Sequence, residues 1–417
     1  MKVLFVLAEF NRRKWNSVSD QAWNIARRLT ADKQIQCVIA AGRNAHEAAL
    51  EEVCSVPIRR FSPKISWLDK LSGKAPADLL KNNAELPGLE IYLHKNNFDL
   101  VHIMCHGKLA AQAAAAARKK NVPYMQTLRS GDMECPGFFA RRGSNAAESA
   151  VKYLKEHRLW LENASMIFCT DHRLRRWLAA GSGDRRLTYW QYGVGKEFFA
   201  ANSKVDFRQE FQLPAATPLL LTVGEISESK NQKMLLEVAS LLKVRGMNCK
   251  LVVIGWAENN KVMQDFQYAI ARNKLEQSVV LIPGLPPGDE RFRAAFHAAS
   301  LVLLPARYDV SASAVLEAWA AGVPVIASPA GSGGDLIVDK ENGRIADPQD
   351  FRQWVKCCEE LLSERQRSTN EKMRSAGRSK ALELLWEKRI DELVEIYQIS
   401  GILNKRGNLK TAKNYGE

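Results

Sequence analysis

The acidic residues Asp309 and Glu317 stand in a stretch whose pattern could hold hydroxyl groups and anions. Seven residues separate them, and an apolar strand from Leu301 to Leu304 precedes them. Carboxylates accept hydrogen bonds from hydroxyl pairs, whereas helix amino termini and rows of backbone N–H groups bind anions. Asp309 falls in the loop after the strand, and Glu317 falls further along a helix predicted from about Ser311 to Ala321. The spacing therefore predicts a binding site built on one strand and one helix.

The elements around the two acids form a strand-helix-strand unit. Gly322 ends the helix and a second apolar strand runs from Val323 to Ala327. A predicted loop follows, with the residues Gly331, Ser332, Gly333 and Gly334. Parallel strands need such a crossover, and in open α/β sheets ligands bind outside the carboxyl ends of the strands. We therefore expect the two acids and the amides of this loop to face one crevice.

This stretch resembles the donor-site signature of retaining glycosyltransferases of the GT-B fold, specifically family 4, in which two acidic residues flank seven others. Asp309 stands where the family usually has Glu. The resemblance implies that Glu317 holds the ribose hydroxyls of a nucleotide sugar and that Asp309 holds a hydroxyl of the transferred sugar. It also implies that phosphate is held by amides at Val310, Ser311, Ala312, Ser313, Gly333 and Gly334. A Rossmann-like unit whose acids are merely solvated is the alternative.

A second family-like element is the run Leu221-Thr222-Val223-Gly224 followed by Lys230. It resembles the strand-Gly-Arg-x4-Lys element, in which Arg and Lys bind the donor diphosphate. Lys230 falls on the Lys position, but Glu225 falls on the Arg position and would repel a diphosphate. We predict that Arg129, which replaces a His of the family, or Arg307 supplies the missing cation. The catalytic candidates are thus Lys230, Asp309 and Arg129.

Further family-like positions concern the nucleobase and the acceptor. The resemblance implies that the backbone of Pro283-Gly284 contacts the base. On the acceptor side, Asn16-Ser17 stands where the family usually carries a glycine pair, and His102 and His106 flank the end of an apolar strand. Simpler alternatives stay open, because Asn16 and Ser19 could cap a helix and each His could be a satisfied core or supporting group.

Length and composition bound the class of protein. The 417 residues exceed the usual size of a domain with a single hydrophobic core, so two domains are expected. A composition of 46% apolar and 25% charged residues is typical of globular proteins. No apolar run approaches the roughly 20 residues of a membrane span, and the start is not typical of a signal peptide. The eight cysteines indicate reduced thiols in a cytoplasmic protein. No Asp-x-Asp pair occurs, so we expect neither a metal nor another cofactor, only a nucleotide-sugar donor as substrate.

The formal net charge of +14 is more distinctive. Basic clusters occur at residues 12–14, 118–120, 141–142 and 173–176 and in the tail from 405 to 413. No nucleic-acid module or basic-aromatic interleaving accompanies them. The charge therefore favours an anionic acceptor or peripheral attachment to an anionic membrane surface at the inner face, and ordinary solubilising charge is the alternative.

The order of predicted elements gives the architecture. Strands alternate with helices in both halves, which predicts an α/β protein with two Rossmann-like domains facing across a cleft. We place an acceptor domain at residues 1–200, completed by about 386–417, and a donor domain at 201–385. A long amphipathic segment from Gln349 to Gln398 follows the last predicted strand. By resemblance to GT-B enzymes, its last helix, Trp386 to Tyr397, crosses back to the first domain.

Together these features predict a retaining glycosyltransferase of the hexosyl-transferring type. It would move a sugar from a nucleotide diphosphate sugar to a carbohydrate or lipid-linked acceptor, in cell-surface polysaccharide or glycolipid synthesis. Two alternatives stay open. One is a catalytically silent relative that binds a sugar or a partner, which the charge of Glu225 favours. The other is a sugar-nucleotide epimerase on the same architecture, which the few ionisable groups at matching first-domain loops disfavour.

Overall fold

A computed structural model describes residues 1–11, 16–44, 47–65, 80, 84–129, 155, 157–182, 186–201, 204–286, 288–308 and 311–405. The chain forms two compact units. The first comprises Met1–Asn11, Ser17–Trp190 and Arg389–Glu417, and the second is chiefly Gln191–Lys388. Asp309 and Val310 of the predicted donor site lie outside the described residues, as do the basic clusters at 12–14 and 141–142 and most of the basic tail.

The first unit is built on an eight-stranded sheet in the order β3-β4-β2-β1-β5-β6-β7-β8. Its strands are β1 (Lys2–Glu9), β2 (Gln36–Gly42), β3 (Leu50–Val53), β4 (Val56–Phe61), β5 (Leu100–Ile103), β6 (Tyr124–Leu128), β7 (Met166–Cys169) and β8 (Leu187–Tyr189). Neighbouring strands are parallel except for the antiparallel pair β3 and β4. The residues from Val3 to Leu7 are fully buried, as expected of a parallel strand with both faces covered.

The helices of the first unit connect these strands. They are α1 (Ser17–Lys33), α2 (Pro87–Lys95), α3 (Gly107–Lys119), α4 (Arg158–Leu161) and α5 (His172–Ser182). Helix α3 buries a stripe of alanines with Leu109 in the core of the unit. Small side chains there let the helix backbone approach the sheet closely, because alanine combines high helix propensity with little volume.

The second unit is built on a six-stranded, fully parallel sheet in the order β11-β10-β9-β12-β13-β14. Its strands are β9 (Leu219–Val223), β10 (Lys250–Ile254), β11 (Val279–Ile282), β12 (Leu301–Leu304), β13 (Val325–Ala327) and β14 (Arg344–Ile345). The strand order reverses between β9 and β12, and such a switch point opens a crevice at the carboxyl ends of the two strands. The residues that follow β9 and β12 therefore stand where a ligand would bind.

Helices cover both faces of this second sheet. They are α6 (Phe207–Glu210), α7 (Met234–Val244), α8 (Asn260–Arg272), α9 (Glu290–Ala298), α10 (Ala312–Ala320), α11 (Gly331–Leu336), α12 (Phe351–Leu362) and α13 (Arg367–Glu383). Several begin at Asp or Asn residues whose side chains accept hydrogen bonds from the first-turn amides, namely Asp206, Asn259, Asp289 and Asp350. These caps satisfy N–H groups that have no partner within the helix.

The last helix, α14 (Trp386–Lys405), returns the chain to the first unit. Tyr397 is buried there, and its hydroxyl lies 2.6 Å from Nδ1 of His102 on β5. The return of the last helix, predicted from the family resemblance, is thereby confirmed. Within the described residues, no helix is both long enough and apolar enough to span a bilayer.

The α/β class with two Rossmann-like units is confirmed, and the structure corrects two details. The strand predicted from Val323 begins at Val325. Three strands were missed: β3, β4 and β14. β3 is an edge strand and carries charged residues such as Glu51, and β4 beside it carries the exposed Arg59. A half-exposed edge does not show the continuous apolar run of a central parallel strand.

Candidate active site

Two glycines bring the ends of β9 and β10 together. Gly224 follows β9 with a φ of +126°, a conformation that side chains disfavour. A Cβ at Gly255 would lie 2.8 Å from the carbonyl carbon of Gly224 and closer still to its oxygen. Beyond them, Ile226 donates its N–H to the carbonyl of Trp256 at 2.8 Å. The turn that carries Glu225 is therefore held firmly against the neighbouring strand end.

Hydrogen bonds brace the loop that joins Glu225 to Lys230. Gln232 Nε2 donates to the carbonyl of Glu225 at 2.8 Å, and the N–H of Lys230 donates to Ser227 Oγ at 3.3 Å. Glu225 is exposed and Lys230 is half-buried. The structure thus brings the predicted lysine and the unexpected glutamate into one ordered loop at the carboxyl end of β9, with the backbone of the loop fixed by its own side chains.

Arg307 is attached to this same loop. Its N–H donates to the carbonyl of Ser229 at 2.8 Å, and its Nη1 lies 3.3 Å from Glu228 Oε1. Arg129 belongs to the first unit, is 7% exposed, and has its Nη2 3.4 Å from the carbonyl of Met104. Of the two arginines predicted to replace the missing cation, Arg307 is therefore the one that the second unit places beside the Lys230 loop.

Helix α10 presents one polar stripe in otherwise apolar surroundings. Ser313 and Glu317 are half-buried and lie four residues apart, so they share a face of the helix. The remaining residues of α10 are buried, including Ala312 and Trp319. Before the helix, Ser311 Oγ lies 2.8 Å from Ser313 Oγ, and Ala312 donates its N–H to Ser332 Oγ at 3.3 Å. The start of α10 is therefore tied to the glycine-rich segment, as the predicted crevice requires.

The glycine-rich segment is not a loop, and that prediction was wrong. Gly331, Ser332, Gly333 and Gly334 are buried and form the first part of α11. A Cβ at Gly334 would lie 2.6 Å from the carbonyl carbon of Pro329, so only glycine fits there. Glycine disfavours helices in isolation, but close backbone packing overrides this preference here. Phosphate binding by Gly333 and Gly334 stays a prediction.

Pro283 and Gly284 stand at the end of β11, where Pro283 is exposed and Gly284 is half-buried. The side chain of Trp256, which follows β10, lies against Gly284. Sequence reasoning missed Trp256. A large aromatic residue immediately after a glycine at the end of a parallel strand was the signal, because such a residue stands at the ligand-binding edge of the sheet.

On the predicted acceptor side, the two histidines lie in different environments. His102 is 1% exposed, with Nδ1 2.6 Å from Tyr397 and Nε2 2.7 Å from Thr127 Oγ1. Burial lowers its pKa from 6.5 to about 3, so the ring is neutral. This placement favours the alternative of a satisfied core histidine. His106 is half-buried and caps α3 without a side-chain hydrogen bond to the helix.

Asn16 and Ser17 lie at the start of α1, where Ser17 is the first helical residue. Both are half-buried. Two residues on, the buried Ser19 places its Oγ 3.4 Å from the carbonyl of Glu9 at the end of β1. Asn16 and Ser17 therefore stand next to the carboxyl end of a central strand, and their acceptor-side role stays a prediction.

Part of the positive charge has a structural explanation. Lys119 pairs with Glu90 at 2.6 Å, and Lys120 Nζ donates to the carbonyl of Leu93 at 3.1 Å near the end of α2. Exposed arginines of the first unit include Arg118, Arg173 and Arg176.

Across the part of the chain that the structure describes, the cysteines are free thiols, and no group of three or more His, Cys, Asp or Glu side chains could hold a metal ion.

Two family models match this chain in succession. The model of the glycosyl transferase 4-like domain matches residues 18–193, and that of glycosyl transferases group 1 matches residues 203–380. The chain is also 22% identical over 396 residues to a GDP-mannose-dependent alpha-mannosyltransferase of Corynebacterium glutamicum, covering 94% of this chain and 87% of the relative.

Solved structures agree with these family matches. Sucrose-phosphate synthase from Thermosynechococcus elongatus superposes with a TM-score of 0.75 at 17% identity, covering 96% of this chain and 98% of the other. HepE of Anabaena, solved in complex with UDP and glucose, superposes with a TM-score of 0.70 at 16% identity, covering 96% and 100%. Two parallel-sheet units in this arrangement of strands are the GT-B fold, and the chain belongs to the group 1, family 4-like glycosyltransferases.

Proposed function

We propose that this glycosyltransferase uses a nucleotide diphosphate sugar as donor and transfers the sugar with retention of anomeric configuration. The observation that carries the proposal is the arrangement at the β9 and β12 strand ends. There a braced loop holds Lys230, and α10 carries Glu317 on its polar stripe. The GDP-mannose named for the Corynebacterium relative and the UDP bound to the Anabaena protein support a nucleotide-linked donor.

The proposed chemistry depends on charge that develops as the glycosidic bond breaks. The leaving diphosphate gains negative charge, and preorganised cations and amides lower the energy of that state. We assign this role to Lys230, with amides at the start of α10 as further donors. Glu317 would hold the ribose hydroxyls, and Asp309 a hydroxyl of the transferred sugar. No metal would be needed, because lysine and arginine meet the phosphate charge.

Glu225 is the group that opposes this chemistry. A carboxylate about 5 Å from a diphosphate would cost on the order of 1 to 3 kcal/mol at an effective dielectric of 20 to 60. We propose that Arg307 offsets this repulsion, because its backbone is bonded to the carbonyl of Ser229 in the Lys230 loop and its guanidinium could exchange Glu228 for a phosphate. A catalytically silent binding protein is the second candidate, and the exposed Glu225 is the observation that favours it.

We propose a carbohydrate or lipid-linked acceptor in cell-surface polysaccharide or glycolipid synthesis, in the cytoplasm and with attachment to an anionic membrane surface. Arg118, Arg173 and Arg176 are exposed in the first unit and support the attachment. Sedimentation with anionic vesicles should fall steeply as salt rises, because screening weakens the roughly 1 kcal/mol that each surface cation contributes. Equal sedimentation with neutral vesicles would contradict this attachment.

The experiment that tests the donor class is a panel of UDP, GDP, ADP and CMP sugars, assayed for transfer and for hydrolysis with and without a chelator. Turnover of one nucleoside diphosphate sugar that survives chelation is the expected result. Product analysis then decides between retention and inversion, and between transfer and epimerisation. Binding of a nucleotide without turnover of any donor would instead establish the silent relative.

A further inference from the structure

Trp256 is an aromatic residue that the second unit leaves open to solvent. It follows Gly255 directly after β10, and 37% of its surface is exposed. The other tryptophans described in this unit, Trp319, Trp354 and Trp386, are at most 3% exposed. An indole offers a large, rigid aromatic surface, so one that is partly exposed at the ligand-binding edge of a sheet can contact a ligand.

The backbone of Trp256 is fixed, although its ring is exposed. Its carbonyl accepts the N–H of Ile226 at 2.8 Å, and the N–H of the preceding Gly255 donates to the carbonyl of Ile282 at 3.1 Å. These bonds join the ends of β9, β10 and β11. Trp256 is thereby positioned at the same carboxyl edge of the sheet as the Lys230 loop.

The ring of Trp256 lies against Gly284 at the end of β11. A Cβ built on Gly284 would lie 2.7 Å from Cε2 of the indole and closer still to Cδ1 and Nε1. Gly284 thus supplies the space that the five-membered ring occupies. More than a third of the surface of Trp256 stays exposed despite this contact.

We infer that Trp256 stacks on the nucleobase of the donor nucleotide. The inference rests on the proposed function, which places a nucleoside diphosphate at this edge. The base is the flat aromatic group of such a ligand, and stacking on an aromatic side chain tolerates any base because each has a π-face. Trp256 would then determine affinity for nucleotides over plain phosphates, while Lys230 acts on the diphosphate.

The test measures the affinity of wild type, Trp256→Ala and Trp256→Phe for UDP, GDP, ADP and inorganic pyrophosphate by calorimetry. For the nucleotide that wild type binds best, Trp256→Ala should weaken binding about 5- to 150-fold, the range that base–aromatic stacking of about 1–3 kcal/mol represents. Trp256→Phe should retain most of the affinity. Pyrophosphate has no base, so its affinity should stay within about twofold in all three proteins. Tyr268→Ala removes another aromatic side chain, 70% exposed on α8, and is the matched control.

A second variant moves the ring without deleting it. Gly284→Ala places a methyl group where the indole lies, and the exposed ring can swing away at little cost to the fold. Nucleotide affinity should fall as it does in Trp256→Ala, and the double variant should be no weaker than Trp256→Ala alone, because coupled residues are not additive.

Several outcomes would overturn the inference. Wild-type nucleotide affinity in Trp256→Ala would do so while leaving the proposed function intact. An equal loss of affinity for pyrophosphate would also overturn it, because that result marks a damaged phosphate site. Fully additive losses in the double variant would overturn it too, because they would assign the effect of Gly284→Ala to Gly284 itself. If wild type binds none of the nucleotides, the proposed function and this inference both fail.

Discussion

Nδ1 of His102 lies 2.6 Å from the hydroxyl of Tyr397, although 295 residues separate the two in the chain. His102 is on β5 and Tyr397 is on α14, and both side chains are buried in the first unit. Nε2 of the same ring lies 2.7 Å from Thr127 Oγ1 on β6. One imidazole therefore joins two neighbouring strands to the helix that returns from the end of the chain, within the first unit.

Tyr397→Phe should destabilise the protein by about 1–3 kcal/mol, because it leaves a buried ring nitrogen without its partner. Chemical denaturation of wild type and variant measures this difference. Tyr268→Phe is the matched control, since that tyrosine is 70% exposed and its hydroxyl is in solvent. Equal losses in the two variants would show that the bond between His102 and Tyr397 contributes nothing specific.

Replacing His102 should change how stability depends on pH. Burial lowers the pKa of His102 from 6.5 to about 3, so between these values the unfolded chain binds a proton that the native ring does not. The contribution of the neutral His102 to the free energy of unfolding is therefore fully present above about pH 6.5. It is lost as pH falls, by up to about 1.4 kcal/mol per pH unit. The free energy of unfolding, measured by chemical denaturation, should therefore fall less between pH 7.5 and pH 5 in His102→Gln than in wild type. Parallel pH dependence in wild type and variant would contradict the prediction.

Gly377→Ala should destabilise the second unit, although alanine has a higher helix propensity than glycine. A Cβ on Gly377 in α13 would lie 2.5 Å from Cδ1 and 2.8 Å from Cγ of Trp319, which is 1% exposed and cannot move away. Overpacking of this kind costs about 1–3 kcal/mol. Ser375→Ala, at an exposed position of the same helix, is the control. A melting temperature at or above that of wild type would show that α10 and α13 separate easily.

If Glu317 holds the ribose as proposed, Glu317→Gln should weaken binding of a nucleoside diphosphate by about 1–3 kcal/mol, because it would remove a charged acceptor from a pair of hydroxyls. Calorimetry with wild type and variant gives the two affinities. Glu276→Gln changes an exposed glutamate of the same unit and should bind like wild type. If Glu317→Gln also binds like wild type, the assignment of Glu317 to the ribose is wrong.

Lys230→Ala should abolish turnover, whereas Glu225→Arg should change diphosphate affinity little. The reason is the role proposed for Arg307, whose backbone is bonded to the same loop and whose guanidinium would provide the missing cation. Glu276→Arg makes the same charge change away from the loop and controls for net charge. Markedly tighter diphosphate binding by Glu225→Arg alone, with no transfer by wild type, would show that the cation site is empty and favour the silent relative.

Several features could be predicted from residue type and spacing because they depend on local patterns. Val3 to Leu7 and Leu301 to Leu304 are continuous apolar runs, and such runs suit strands covered on both faces. The spacing of Lys230 from Gly224, and of Glu317 from Asp309, resembles the signature of the glycosyltransferase family and predicts a site at the carboxyl ends of β9 and β12. These elements were recognised because their signals lie within one strand-helix unit each.

Other features were decided by packing between segments that are distant in the chain. The buried helix at Gly331 forms because its glycine backbone packs against Pro329, and the neutral His102 is satisfied by residues on β6 and α14. Arg307 meets the Lys230 loop, and Trp256 covers Gly284, because strand order brings separate loops to one edge. Residue types and spacing alone determined which charged and polar groups each loop carries. Only the tertiary structure decided which of those groups are buried and which meet, because that depends on the order and register of strands.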